Sequence, residues 1–279
     1  YSALQSYDII LPTLGDLFSA NIFDQLKNHR CRLIANFGVG YNHIDVIRAK
    51  SKNILVTNTP GAVTAATADI AITLMLMTAR RAGEGERLVR ANKWKGWHPT
   101  QMLGFHVSGK TVSIIGMGRI GEAIAYRCHF GFGMKVRYFN RSQKELNFPT
   151  IQSMNMGEAV EKADVVFVSV PGKASTKHLI DKSVFARMQK HSIFVNISRG
   201  DVVVEAELID ALKTSQIAGA GLDVYEFEPV IPKALMKMEN VTLFPHLGTA
   251  SLEVRTQMGE MALHNIEEFI ANRKPPNLV

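Results

Sequence analysis

The run Gly116-Met117-Gly118-Arg119-Ile120-Gly121 constrains this chain more than any other feature. The apolar run Thr111 to Ile115 precedes it. A helix-compatible segment, Arg119 to His129, and a second apolar run, Lys135 to Phe139, follow it. A GxGxxG string alone carries little weight. Set between strand, helix and second strand, it is the fingerprint of a βαβ unit that binds a dinucleotide. Gly116 permits the tight turn, Gly118 lets the backbone approach a pyrophosphate, and Gly121 lets helix and strand pack closely. The free N–H groups at the helix start, from Arg119 and Ile120 onward, then face the phosphates.

The rest of the chain supplies the frame that such a unit needs. Six apolar runs follow Lys110: Thr111 to Ile115, Lys135 to Phe139, Val165 to Ser169, Ile193 to Ile197, Ile217 to Leu222 and Val241 to Phe244. Helical segments fit between most of them, at Arg119 to His129, Gly157 to Lys162, Lys182 to Met188 and Glu205 to Lys213. Six strands with crossovers make a complete doubly wound α/β sheet. Upstream lie three more strand-like runs, Asp8 to Leu11, Arg32 to Asn36 and Ile54 to Asn58, with helices expected over Asp16 to Lys27 and Ile44 to Lys50. A long helix is expected from Ala65 to Asn92. Its apolar face is read as Ile70, Leu74 and Met77 with Arg81, and Leu88 lies further on. A helix of that length suits a bridge between domains. Trp94 to Gly109 reads as a loop, and Ser251 to Asn272 as a last helix stopped by Pro275 and Pro276.

Composition narrows the setting. With 46% hydrophobic residues, the 279-residue chain can bury one large core or two modest ones. Its longest apolar run, near Ile70 to Met77, is interrupted by Thr73 and is far short of the roughly 20 residues that span a bilayer. Tyr1 opens directly into mixed sequence with no secretory signal. Cys31 and Cys128 cannot form a disulfide framework, so the reading is two core thiols in a reducing cytoplasm. The net charge of +7 favours anionic ligands such as phosphorylated cofactors and carboxylates. The basic residues are spread along the chain, which excludes a nucleic-acid arm. No metal site is expected.

The end of the second strand after the glycine loop discriminates between nucleotides. A carboxylate there would bind the ribose 2′-hydroxyl and repel a 2′-phosphate. This chain has Asn140-Arg141-Ser142 instead. Arg141 can pair with a 2′-phosphate, and Asn140 and Ser142 can donate hydrogen bonds, so NADP(H) is expected over NAD(H).

Three polar residues follow the late strands: Arg199 in Asn196-Ile197-Ser198-Arg199-Gly200, Glu228 before Pro229, and His246 in Phe244-Pro245-His246-Leu247-Gly248. Ligands of open α/β sheets bind at the carboxyl ends of the strands. Reducing a 2-oxo acid needs a fork for the carboxylate, a proton donor for the developing alkoxide and a partner that keeps the donor protonated. Arg199, His246 and Glu228 suit those tasks in that order.

With these residues, the sequence resembles the D-isomer-specific 2-hydroxyacid dehydrogenases over nearly its whole length. The resemblance rests on Gly38-Val39-Gly40-Tyr41-Asn42-His43-Ile44-Asp45, Asn58-Thr59-Pro60-Gly61, the glycine loop, Ser198-Arg199-Gly200, Gly221-Leu222-Asp223-Val224, Glu228-Pro229 and Pro245-His246-Leu247-Gly248. Within that family it looks most like the glyoxylate and hydroxypyruvate reductases, on Gly96 to Gly104 and the missing acidic residue after the second strand. The resemblance implies that Arg199, Glu228 and His246 are catalytic and that the backbone around Val39 and Gly40 holds the substrate carboxylate. It sets Asp223 facing the nicotinamide carboxamide, and lines the cofactor with Thr67, Val170, Pro171, Thr176, Ile197, Ser198 and Gly248. Phe37 and Met102 are candidates for the acyl pocket, and Trp97 for a dimer contact.

The implied fold is two doubly wound parallel-sheet domains. Residues 1–66 would form a flavodoxin-like substrate domain, residues 67–251 a Rossmann-type cofactor domain opened by the long linking helix, and residues 252–279 a helix and tail returning to the substrate domain. The expected activity is reduction of glyoxylate or hydroxypyruvate by NADPH in a homodimer, through a cleft that closes and excludes water. The chain departs from the family at Asn42, where Asp is usual, and begins late, so its substrate domain is expected to lack the first strand and helix. Rival readings are an NAD-linked enzyme of a larger acid such as phosphoglycerate, a nucleotide-sensing corepressor-like protein on the same fold, and a truncated inactive product.

Overall fold

The computed structural model describes all 279 residues. They divide into two compact units, Tyr1–Val63 with Thr249–Val279, and Thr64–Gly248.

The first unit opens with α1 (Ser2–Ser6), β1 (Ile9–Ile10), α2 (Ala20–Asp24), β2 (Leu33–Ala35), α3 (Val46–Ser51) and β3 (Leu55–Thr57). Its strands pair in parallel in the order β1-β2-β3. The middle strand is wholly buried, and Leu4, Phe23, Leu26, Ile34, Ile54 and Val56 form the core around it. The helix expected over 16–27 is shorter than its apolar spacing suggested. The Asp16 carboxylate accepts from the Thr13 amide at 2.7 Å and the Thr13 hydroxyl at 3.0 Å, which ties that stretch into a turn. Asp45 caps α3 by accepting from the Arg48 amide at 2.9 Å.

The second unit begins with a correction. The single helix expected over 65–92 is two helices, α4 (Thr64–Ala79) and α5 (Ala82–Arg90). Arg81 between them is left-handed (φ 52°), and its guanidinium grips the Glu84 carboxylate at 2.8 and 2.7 Å. The Ala79 carbonyl accepts from Phe105 N at 2.9 Å, so the following loop takes the bond that a continuing helix would use. The buried face of α4 is also different from the one expected: Thr67, Ala68, Ala71, Leu74, Met75 and Ala79 are buried, whereas Ile70 and Met77 are only partly so. Small residues on that face bring the helix against a glycine strand. A Cβ on Gly221 would lie 2.9 Å from Leu74 Cβ, closer than side chains pack.

Beyond an irregular stretch that includes the loop expected over 94–109, the unit continues with β4 (Thr111–Ile115), α6 (Arg119–Tyr126), β5 (Lys135–Phe139), β6 (Thr150–Gln152), α7 (Met156–Glu161), β7 (Val165–Val168), α8 (Lys182–Phe185), β8 (Ile193–Asn196), α9 (Glu205–Lys213), β9 (Gly219–Leu222), α10 (Lys233–Met236) and β10 (Val241–Leu243). The sheet therefore has seven strands where six were expected, in the order β10-β9-β8-β7-β4-β5-β6, all parallel. The additional strand, β6, is a polar, half-exposed edge with no apolar run to signal it. Helix α6 ends in a π turn over Arg127–Gly131 where a continuous α-helix was expected.

The central strands bury both faces, as parallel sheets do. Val166, Val168 and Phe194 point into one core with α7, α8 and α9. Ile114, Phe167 and Val195 point into the other with α4 and α6. From β4 the chain first builds outward through β5 and β6, then returns to add β7 to β10 on the other side. The reversal beside β4 is the switch point at which such sheets bind ligands.

The last helix, α11 (Leu252–Ile270), belongs to the first unit. Its buried Asn265 donates to Met261 O at 2.9 Å and accepts from Asn277 N at 3.1 Å, and Arg32 lies 5.2 Å from the centre of the Phe269 ring. No helix is long and apolar enough to cross a membrane. Both cysteines are free and buried.

Candidate active site

The glycine loop joins β4 to α6, and the structure gives each glycine its own reason. Gly116 has φ +99°, and a Cβ on it would lie 2.8 Å from Val170 Cγ1. A Cβ on Gly121 would lie 2.2 Å from Gly116 O, so only glycine lets the helix meet the strand end. Gly118 is unlike both: apart from its two chain neighbours, nothing in the protein comes within 4 Å of where its Cβ would be. That space lies beside the open N-terminus of α6, where a pyrophosphate would sit. Ser169, at the end of β7, donates to Gly116 O at 2.6 Å and ties the two switch-point loops together.

These contacts separate two substitutions. Gly121→Ala is expected to destabilise the unit by about 1–3 kcal/mol through overpacking. Gly118→Ala should leave the melting temperature unchanged and weaken only nucleotide binding. Thermal unfolding beside a nucleotide titration checks both. Equal melting losses would contradict the assignment of the Gly118 space to a ligand.

At the end of β5, Asn140 donates to Ser142 O at 2.8 Å, and its own carbonyl accepts from Gln152 Nε2 at 3.2 Å. This turn leaves the Arg141 side chain exposed. Ser198 Oγ donates to Val170 O and links the loops after β7 and β8, and within the first of them Thr176 Oγ1 donates to Pro171 O at 2.7 Å. Ile197 is buried beneath them. Of the residues expected to line a cofactor, Thr67 is bound at 3.0 Å through its hydroxyl to the carbonyl of another, Gly248.

The three residues expected to be catalytic all lie in this unit, at the carboxyl ends of β8, β9 and β10. Arg199 is half-buried, and its Nη1 donates to Ser198 O at 2.7 Å. Its stem packs over Gly172, where a Cβ would be 2.6 Å from Arg199 Cγ. Burial pushes its pKa down and the charges of Glu228 and Asp201 oppose that, but a guanidinium remains a cation. Glu228 Oε2 lies 2.8 Å from His246 Nδ1, and Glu228 Oε1 accepts from Tyr225 N at 2.9 Å. Burial alone would raise the Glu228 carboxyl. The His246 hydrogen bond, the Tyr225 amide and the Arg199 charge outweigh it and hold the group below the ordinary glutamate range. An ionised carboxylate only accepts, so Nδ1 carries the proton and Nε2 is free for chemistry.

His246 itself is left-handed (φ 56°). Asp223 holds it there: its carbonyl accepts from His246 N at 3.0 Å, and its carboxylate accepts from Leu247 N at 2.6 Å and Gly248 N at 2.8 Å. Burial raises the pKa of Asp223, against those two amides. Sequence reasoning gave Asp223 a cofactor-facing role and missed this clamp. It also gave no role to buried Asn196, which accepts from Ser198 N at 3.0 Å and donates to Arg199 O at 3.0 Å, shaping the Arg199 turn. Polar residues at strand ends in Val195-Asn196 and Leu222-Asp223 were the available signal.

In the first unit, the Val39–Gly40 loop is built from inside. Asn36 Nδ2 donates to Gly38 O at 3.1 Å and Gly40 O at 3.0 Å, Asn58 Nδ2 donates to Val39 O at 2.9 Å, and Asn36 Oδ1 lies 3.0 Å from His43 Nε2. These bonds turn the carbonyls of Gly38, Val39 and Gly40 inward. Phe37 lies beside Gly259 in this unit, and Met102 beside Gly85 in the other. No group of side chains could hold a metal ion.

Residues 72–248 match the family model described as D-isomer specific 2-hydroxyacid dehydrogenase, NAD binding domain. A glyoxylate reductase of Korarchaeum cryptofilum is 43% identical over 277 residues, covering 98% of this chain and 82% of the relative. One from Pyrococcus horikoshii is 40% identical, covering 99% and 84%. Among solved structures, an NADPH-dependent glyoxylate/hydroxypyruvate reductase of Sinorhizobium meliloti, in complex with NADP and malonate, superposes with a TM-score of 0.91 at 33% identity. That likeness covers all of this chain and 86% of the other.

Proposed function

Since the chain belongs to the D-isomer-specific 2-hydroxyacid dehydrogenase family, we propose that it reduces glyoxylate and hydroxypyruvate to the corresponding 2-hydroxy acids with NADPH. The observation that carries this reading is the His246–Glu228 pair at 2.8 Å beside Arg199, in the unit that holds the glycine loop.

The residues fit a dinucleotide. Gly118 leaves the space a pyrophosphate needs, and the α6 N-terminus presents its amides there. Arg141, with Asn140 and Ser142, would hold the 2′-phosphate, while Thr67, Val170, Pro171, Thr176, Ile197, Ser198 and Gly248 would line the rest. NADPH, when bound, supplies the hydride that adds to C2 of the oxo acid. Arg199 binds the substrate carboxylate and polarises the carbonyl through its fork. In the first unit, the proposed substrate-binding groups are the N–H groups of Val39 and Gly40. His246 gives its Nε2 proton to the developing alkoxide, Glu228 holds the Nδ1 proton, and Asp223 holds the loop at His246. The substrate thus gains one hydride and one proton. The exposed Trp97 would serve a homodimer contact, and the two unpaired thiols suit a reducing cytoplasm.

The test is initial rates with each oxo acid and each nucleotide, in the wild type and in Arg141→Ala. The wild type is expected to prefer NADPH. A charge-assisted hydrogen bond contributes about 1.5–3 kcal/mol, so the substitution should cut that preference roughly 10- to 100-fold while leaving the NADH rate intact. A wild type that prefers NADH would refute the cofactor assignment and leave the family untouched.

A further inference from the structure

A second histidine–carboxylate pair lies two residues along the chain from the first. Glu226 Oε1 is 2.7 Å from His178 Nε2, and Glu226 Oε2 accepts from Glu205 N at 3.3 Å. Glu226 N in turn donates to Glu205 Oε1 at 3.2 Å. Glu205 is buried, and only 15% of the Glu226 side chain is exposed. Neither carboxylate has a part in the proposed chemistry. Burying two acidic groups together is costly, and burial and the neighbouring charges of Glu226 and Glu228 all raise the Glu205 carboxyl.

The reason for retaining them lies in what they join. The segment after Arg199 and the segment before Glu228 touch backbone to backbone: a Cβ on Gly200 would lie 1.8 Å from the Tyr225 carbonyl carbon and 2.2 Å from Glu226 N. Glu205, at the start of α9, ends the first segment, and Glu226 lies in the second. His178 comes from the loop after β7, held left-handed (φ 52°), with its amide donating to Asp201 O at 2.8 Å. Three loops, after β7, β8 and β9, therefore meet at one carboxylate. The other charged or titratable groups around this turn are Arg199, Asp201, Asp223, Tyr225, Glu228 and His246.

We infer that Glu226 is a positioning residue, which sets the turn carrying Glu228 against the segment carrying Arg199 and so holds the Glu228–His246 hydrogen bond in register. The inference rests on the proposed hydride-transfer reading for its effect on rate, but not for its effect on geometry. The test uses the full chain with Glu226→Ala, Glu226→Gln and His178→Ala. Its first readout is the low-field proton NMR resonance of the His246 Nδ1–H bonded to Glu228, identified by its loss in His246→Ala.

In Glu226→Ala this resonance is expected to broaden or vanish. kcat should fall about 10- to 100-fold, the scale of a small misplacement of reacting groups, with nucleotide affinity unchanged. Glu226→Gln keeps an acceptor for the Glu205 amide and should restore the resonance and most of kcat. His178→Ala, at a more exposed position, should reproduce the alanine phenotype more weakly, and it decides the matter if Glu226→Ala does not fold. An unchanged resonance and kcat in both alanine variants would overturn the inference. So would losses that track nucleotide affinity and folded fraction and that Gln does not rescue. A wild type with no turnover would refute the hydride-transfer reading alone, and the resonance would still decide the positioning role by the same outcomes.

Discussion

Replacing His246 with alanine is expected to lower kcat for 2-oxo acid reduction by about 10²- to 10⁴-fold, the range measured for positioned general acids. That corresponds to about 3–5 kcal/mol of transition-state stabilisation. The loss should appear in kcat, because the proton is needed only as the alkoxide develops. Nucleotide affinity should be unchanged, since the groups assigned to the phosphates, Gly116 to Gly121 and Arg141, belong to the β4–α6 turn with the start of α6 and to the β5–β6 connection, and not to the loop that carries His246. Glu228→Gln should lose less. Its amide oxygen can still accept from Nδ1–H, but the carboxylate charge beside the ring is gone. Steady-state kinetics with a nucleotide titration on each variant checks this. A His246→Ala enzyme that keeps its wild-type kcat would remove His246 from the proton-donor role.

Arg199→Lys is the second large effect. The charge survives, but the planar fork does not. Arg199 is held on one side by its bond to Ser198 O and beneath by the Gly172 backbone, so the shorter reach of lysine cannot be recovered by sliding the stem. Both proposed functions of the fork should suffer. KM for the oxo acid should rise with the weaker carboxylate grip. kcat should fall by about 10²- to 10³-fold, as when one oxyanion donor is removed. Glu228, deprived of a well-placed neighbouring cation, should also become easier to protonate. Kinetics over a range of oxo acid concentrations separates the two effects. A change confined to KM would show that Arg199 only binds and does not stabilise the transition state.

How far the primary structure could be read follows from the range of each interaction. The central strands are buried on both faces, so their apolar runs stand out, and β4, β5, β7 and β8 lie where those runs predicted. The glycine loop was legible because its requirements are local: a positive φ at Gly116 and a backbone contact between residues five apart. Strand β6 was illegible because an edge strand can stay polar and still form its hydrogen bonds. The break between α4 and α5 was hidden for a different reason. It depends on Phe105, whose amide takes the Ala79 carbonyl from 26 positions away, and no helical periodicity reports that.

The sequence by itself determined the α/β class and the glycine loop, and it singled out Arg199, Glu228 and His246 as candidates, because few residue types can do that chemistry after consecutive strands. Only the tertiary structure decided how that group is held. Asp223 clamps the His246 loop, Asn196 shapes the Arg199 turn, and Glu226 joins three loops through Glu205 and His178. The Asp223 bonds and the Glu226–Glu205 bond link residues distant in the chain through main-chain amides, and every residue but proline has one. The partner of a buried carboxylate is then set by where the loops fall in space, which residue identity does not encode.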